Sequence, residues 1–200
     1  MEKGQAQTIG LMGADFGCGV THFTLLFANY LAAVEWKRTA VLEWNSRHAL
    51  REFAAACTGK DDGVKPVAVL DVDYFPDGGA EELAWCLQKG YECILMDFGC
   101  VREGWKAEFL QCGQKIFLAA LNEWKLRSLA SQRDWMAKGK GSWRFLTVFG
   151  CEEARREIKR RFGVPFMQIP YAPDVFSIDQ DMAVFMRRIW REKEWKDEKR

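Results

Sequence analysis

The segment from Thr8 to Val34 restricts the fold more than any other part of this 200-residue chain. Ile9 to Met12 form a short apolar run, and Gly13-Ala-Asp-Phe-Gly-Cys-Gly19 follows as a glycine-rich turn. From about Thr21 to Val34 the residues are mostly apolar and lack helix breakers. A buried strand that enters a helix through a glycine turn is the opening unit of a parallel α/β sheet. The rest of the chain repeats the alternation. Short β-rich runs occur at Thr39–Trp44, Pro66–Val72, Cys93–Phe98, Lys115–Ala120, Arg144–Phe149 and Phe166–Ile169. Helical patterns lie between them at Ser46–Cys57, Gly79–Lys89, Glu123–Lys138, Glu152–Phe162 and Ile178–Glu194. Nearly continuous apolar strands separated by helices predict a three-layer α/β domain. Its twisted sheet is mainly parallel, with helices on both faces and Thr8–Met12 at the centre.

Two helices are marked by their ends. Glu152 and Glu153 open one, Lys159, Arg160 and Arg161 crowd its last turn, and Gly163 stops it, in agreement with the helix macrodipole and the glycine C-cap. The last helix carries Met182, Phe185, Met186, Ile189 and Trp190 at 3–4 spacing, a single stripe for docking on the sheet. With no linker, repeat or break in composition, residues 1–200 read as one domain, with 191–200 a charged tail of the last helix. Lys+Arg 29 against Asp+Glu 28 leaves no global field to attract nucleic acid or membrane. Seven cysteines without a CxxC pair, and no secretory signal, predict reduced thiols in a cytoplasmic protein. The longest apolar run, Phe23 to Val34, is too short to span a bilayer. In the tail from Arg187 to Arg200 the apolar stripe ends early and leaves Trp195 nearly alone, so membrane association is not expected.

Three segments carry candidate chemistry. In the glycine loop, Gly13, Gly17 and Gly19 let backbone N–H groups converge on a phosphate at the helix N-terminus, and Thr21 offers a hydroxyl to magnesium. A second strand ends in Glu43 and Asn45, and a third, Tyr91 to Gly99, ends in Asp97. Ligands of open α/β sheets sit beyond such strand ends. Each signal also has a plain structural reading: the glycines as a tight turn, Asp97 as a loop anchor, Glu43 and Asn45 as loop-structuring groups, His22 as a polar cap. His48 and the cysteines show no metal-ligand spacing. The basic helix Arg155–Arg161 is flanked by acids and reads as a solvated face.

Taken together, these segments resemble the ParA/MinD family of P-loop ATPases. The family loop Lys-Gly-Gly-x-Gly-Lys-Thr-Thr is matched by Asp15-Phe16-Gly17-Cys18-Gly19-Val20-Thr21-His22. Its Asp-x-Asp strand end is matched by Glu43-Trp44-Asn45, its Walker B aspartate by Asp97, and its base-side proline by Ile169-Pro170-Tyr171. The resemblance implies a nucleotide site built from Gly13, Asp15, Gly17, Cys18, Gly19, Val20, Thr21, His22, Glu43 and Asp97. That site would hold ATP or ADP, with magnesium on Thr21 and Asp97, or would have lost its nucleotide altogether. Two departures stand out. Val20 occupies the position of the loop lysine, and Asp15 that of the signature lysine that reaches across a nucleotide-sandwich dimer. Losing one charge-assisted hydrogen bond costs about 1.5–3 kcal/mol in binding, and phosphoryl transfer depends on such charges still more. The expectation is a non-hydrolysing scaffold that binds a protein partner, close to the TadZ/CpaE pilus-assembly branch, with a pilus or secretion component as partner. The alternatives are an atypical ATPase that recruits Lys37, Arg102 or Lys125, and a DNA-associated protein using Arg155–Arg161.

Overall fold

A computed structural model describes residues 6–59 and 65–191. Apart from Arg191, the expected tail over 191–200, Trp195 included, lies outside the described residues. The elements run β1 (Gln7–Gly13), α1 (Val20–Ala33), β2 (Thr39–Glu43), α2 (Ala49–Thr58), β3 (Val67–Val69), β4 (Val72–Phe75), α3 (Ala80–Lys89) and β5 (Cys93–Cys100). There follow α4 (Lys106–Gln111), β6 (Gln114–Ala119), α5 (Leu126–Ala130), α6 (Arg133–Lys138), β7 (Arg144–Thr147), α7 (Glu152–Phe162), β8 (Met167–Gln168) and α8 (Gln180–Arg191). One sheet orders the strands β3-β4-β2-β5-β1-β6-β7-β8, and every pairing is parallel except that of β3 with β4. β1 lies between β5 and β6, in the middle of the sheet, as the opening segment predicts.

Side-chain alternation along each strand divides the core into two layers. Ile9, Leu11, Val41, Leu95, Ile116 and Leu118 pack with α1, α2 and α8 on one face. Met12, Ala40, Leu42, Ile94, Met96, Phe98 and Phe117 pack with α3 through α7 on the other. Each fully buried aliphatic or aromatic side chain contributes about 1.5–3 kcal/mol relative to exposure, which makes the central strands the most stable part of the fold. Gly10 has a steric role within β1. A Cβ there would meet Cys112 Sγ at 2.8 Å and the Phe109 ring at 3.0 Å, so glycine lets α4 and the turn after it settle on the strand. Phe109, Phe117, Trp135, Trp143 and Phe145 form an aromatic cluster in this layer, with ring centroids 5.1–6.3 Å apart.

Besides the unexpected helix α4 and a β7 that stops at Thr147 instead of Phe149, the structure differs from the sequence expectation in three places. Pro66–Val72 is not a single strand. Val67–Val69 turns back at Leu70, whose φ is +52°, and pairs antiparallel with β4, which then joins β2. The helix expected over Glu123–Lys138 breaks into a 3-10 turn, α5 and α6. At the break, the Ser131 hydroxyl donates to Ser128 O at 2.7 Å and Gln132 N–H donates to Leu129 O, tightening the turn. α2 starts at Ala49, not Ser46, because the Asn45 side chain accepts from the Arg47 N–H at 2.9 Å and His48 adopts a left-handed conformation.

Candidate functional site

The strand order places β2, β5 and β1 side by side and parallel, so the loops after Glu43, Cys100 and Gly13 share one end of the sheet, and Asp97 lies within β5 three residues before that end. The three segments singled out in the sequence are therefore brought together. Between β1 and α1 the chain turns through Gly17 and Gly19, with φ of +73° and +81°. Both values lie in the left-handed region, which only glycine enters without strain. Gly19 is the N-cap of α1 and offers no side-chain cap, so the N–H groups of the first turn face the loop cavity without a side-chain partner. That cavity has a volume of about 220 Å³ and is lined by residues 15–22 together with Arg47, Ala49, Gly99 and Cys100.

Asp97 is fully buried at the floor of the site. Its carboxylate accepts from the Thr21 hydroxyl at 2.6 Å and from the Gly99 N–H at 2.9 Å. Burial pushes its pKa up, and those two hydrogen bonds oppose the rise. Glu43 is its ladder neighbour on β2 and is equally buried. One oxygen of Glu43 accepts from Leu50 N–H at 3.1 Å, while Oε2 has no hydrogen-bond partner among the described residues. Burial, reinforced by the charge of Asp97, pushes the Glu43 carboxyl up as well. Asn45 is fully engaged in structure: its amide donates to Asp97 O at 3.0 Å while its carbonyl takes Arg47 N–H. Thr21 and Asp97 present hard oxygen donors of the kind magnesium prefers, and Glu43 Oε2 leaves a third acceptor on the next strand. Among the described residues no cluster of three or more His, Cys, Asp or Glu forms a separate metal site.

The substituted positions have clear structural roles. Val20 is buried and lies so close to the end of β1 that a Cβ on Gly13 would meet its Cγ2 at 2.8 Å. It fills the space behind the loop with apolar volume and carries no charge. Cys18 is buried in the loop, and burial raises its thiol pKa. Asp15 does not project a free charge. Its carboxylate meets Lys125 Nζ at 3.3 Å and Arg102 Nε at 3.5 Å, and Lys125 also donates to Phe16 O at 2.9 Å. Burial would raise the Asp15 carboxyl, but the Phe16 N–H, the Ser128 hydroxyl and Lys125 outweigh it and hold the pKa below the usual range. Lys37, named in the sequence as a substitute cation, is misplaced for that role. It pairs with Glu92 at 2.8 Å, beside the residues that lead into β2 and β5, at the opposite edge of the sheet.

His22 links the loop cavity to a second one. Its Nε2 lies 2.7 Å from Ala172 O, and the ring lines both cavities. The second cavity, about 510 Å³, is an apolar cleft between the loops after β7 and β8, with Phe149, Pro170 and Tyr171 in its walls. Pro170 and Tyr171 are legible in the sequence as the strand-end proline segment. Phe149 and Arg47 are not, because both belong to loops whose course depends on residues far away in the chain. The basic helix α7 is largely self-satisfied: Arg156 pairs with Glu152, and Arg160 pairs with Glu157 at 2.8 Å.

No protein-family profile matches the chain, and no curated protein matches its sequence. Solved structures do match its fold. A plasmid partition protein from Borrelia burgdorferi bound to AMPPNP superimposes with a TM-score of 0.62 at 13% identity, over 93% of this chain and 97% of that one. MinD in the MinC:MinD cell division complex of Aquifex aeolicus gives 0.61 at 14% identity, over 92% and 86%. The septum site-determining protein MinD of Pyrococcus horikoshii, complexed with Mg-ADP, gives 0.50 at 15% identity, over 90% and 86%. The chain has the ParA/MinD-type P-loop fold.

Proposed function

We propose that this protein is a nucleotide-binding scaffold of the ParA/MinD fold that does not hydrolyse its nucleotide. The observation that carries the reading is the pair of cavities joined at His22. One is a glycine loop at a helix N-terminus, suited to phosphates, and the other is an apolar, aromatic-walled cleft suited to a base. ATP or ADP would lie across both, with Gly13, Gly17, Cys18 and Gly19 shaping the phosphate end and Thr21 and Asp97 holding magnesium. Nucleotide in the partition protein and in MinD is consistent with this placement. The side chains needed for turnover are missing: Val20 carries no charge, and Asn45 is a neutral amide committed to loop structure.

Phe16, Trp124, Phe149 and Tyr171 are exposed, and Phe16, Phe149 and Tyr171 lie at the cavities themselves, which supports a protein partner docking near this edge. A pilus or secretion component, as in the TadZ/CpaE branch, is the partner class we assign. Seven free thiols, five of them buried, suit a cytoplasmic location. Calorimetric titration with ATP and magnesium, followed by a phosphate-release assay, tests the reading. Binding without turnover above a protein-free control is expected. Magnesium-dependent hydrolysis abolished by Asp97→Asn would overturn it in favour of an active ATPase.

A further inference from the structure

The loop cavity has its own basic side chain, contributed by a different element from the one the missing lysine would occupy. Of the lysines and arginines around the site, Arg102 and Lys125 are held by Asp15, and Arg51 is held by Asp77 at 2.6 Å. Arg47 is different. It lies in the loop between β2 and α2, its backbone N–H is held by the Asn45 side chain, and it lines the cavity beside residues 15–22. Among the described residues no carboxylate lies within ion-pair distance of it. Its guanidinium rests over the Phe16 ring, 5.0 Å from the centroid. Phe16 occupies a position where a glycine would offer no such shelf.

We infer that Arg47 supplies the phosphate-binding charge that Val20 lacks, with Phe16 parking it at the cavity mouth, so that the site takes a nucleoside di- or triphosphate through a guanidinium. The inference rests on the nucleotide reading above and adds the residue that confers phosphate affinity. A planar guanidinium offers two parallel donors to phosphate oxygens, a better match for phosphate than for the aromatic face it rests on. Phosphate in the cavity therefore draws Arg47 off Phe16 and onto the ligand. Arg102 and Lys125 stay with Asp15, where they hold the loop in place.

The test compares ADP and adenosine binding by titration calorimetry for the full chain and for Arg47→Gln, Arg47→Lys and Arg51→Gln. Arg47→Gln is expected to weaken ADP by about 10- to 100-fold, the range for one charge-assisted contact, and to leave adenosine within about twofold. Arg47→Lys should recover part of the ADP affinity, and Arg51→Gln should match the wild type. Unchanged ADP affinity in Arg47→Gln overturns the inference while leaving the nucleotide reading intact. Equal losses for ADP and adenosine also overturn it, because they would assign Arg47 a merely structural role. A wild type that binds ADP no more tightly than adenosine overturns it too, since no residue would then confer phosphate affinity. A wild type that binds neither ligand overturns both readings.

Discussion

Asp97→Asn is expected to raise the stability of this protein at neutral pH. The carboxylate is fully buried on β5, next to a second buried acid, Glu43, and burial pushes its pKa above the ordinary value of 3.8. For an acid whose folded pKa is raised, ionisation is penalised only in the native state. The penalty is absent below the unfolded pKa and complete above the raised folded one, so stability falls as pH climbs through that window. Asparagine preserves the geometry. Its Oδ1 accepts from Gly99 N–H, its Nδ2 donates to Thr21 Oγ1 once that hydroxyl rotates, and no cavity is left. Removing a buried charge in this way should gain about 1–2 kcal/mol, the usual scale for relieving a functional compromise. A domain of this size moves about 2–4 °C per kcal/mol, so Tm should rise by about 2–8 °C at pH 7. Thermal unfolding followed by circular dichroism from about pH 4.5 to pH 8 measures it, and the gain should shrink toward the acid end. A loss of stability at neutral pH, or a gain that does not change with pH, would refute the reasoning. A carboxylate kept at a cost in stability is the mark of a group retained for its chemistry.

Three further predictions follow from the same loop. Gly17→Ala should cost about 1 kcal/mol, the lower end of the strain of left-handed backbone, because a Cβ there meets open space. Gly19→Ala should cost more, since its Cβ would also meet Val148 Cγ2 at 3.0 Å; urea unfolding of the two, with Val148→Ala restoring part of the difference, separates strain from crowding. Val20→Lys alone should tighten ATP binding measured by calorimetry, whereas adding Asp15→Lys should cancel the gain, because it leaves Lys125 and Arg102 facing a third cation. Sedimentation velocity should be unchanged by ATP and magnesium, because Asp15 at the mouth of the loop is an acid already bound within its own chain and offers no cation to a second copy; a dimer that forms only with nucleotide would refute this.

The sheet was legible because each central strand is an apolar run long enough to cross it, and because the glycine turn after Met12 sets the first crossover. Its edge was not. The left-handed position of the turn between β3 and β4 is held by an exposed leucine, Leu70, where glycine or asparagine would be expected, so Asp71 is the turn's one signal and two short strands read as one run. α4 spans six residues, too few to establish a helical period. At the site, the glycines, Thr21 and Asp97 were legible because they act near their own position in the chain. The ion cluster on Asp15 was not, since Lys125 lies 110 positions away and reaches it only through the placement of β6 beside β1. Asp15 therefore reads in the sequence as an exposed negative charge but is locally balanced in the fold.

On the proposed reading, nucleotide binding and hydrolysis separate at this loop because they draw on different atoms. Phosphate binding rests first on backbone N–H groups, whose direction is set by Gly17, Gly19 and the start of α1. Transition-state charge is stabilised by side chains, and at the two matching positions here Val20 packs against the end of β1 and Asn45 ties the β2 loop to Asp97 O. Each of these side chains satisfies a local packing or hydrogen-bonding need, so the loop keeps its shape without a charge at either position. Arg47 would bring its charge to the cavity from an exposed loop, resting on Phe16 until a phosphate is present. If nucleotide binds here as we propose, a site assembled in this way would favour retention of the ligand over its conversion, which is what a nucleotide-dependent scaffold requires.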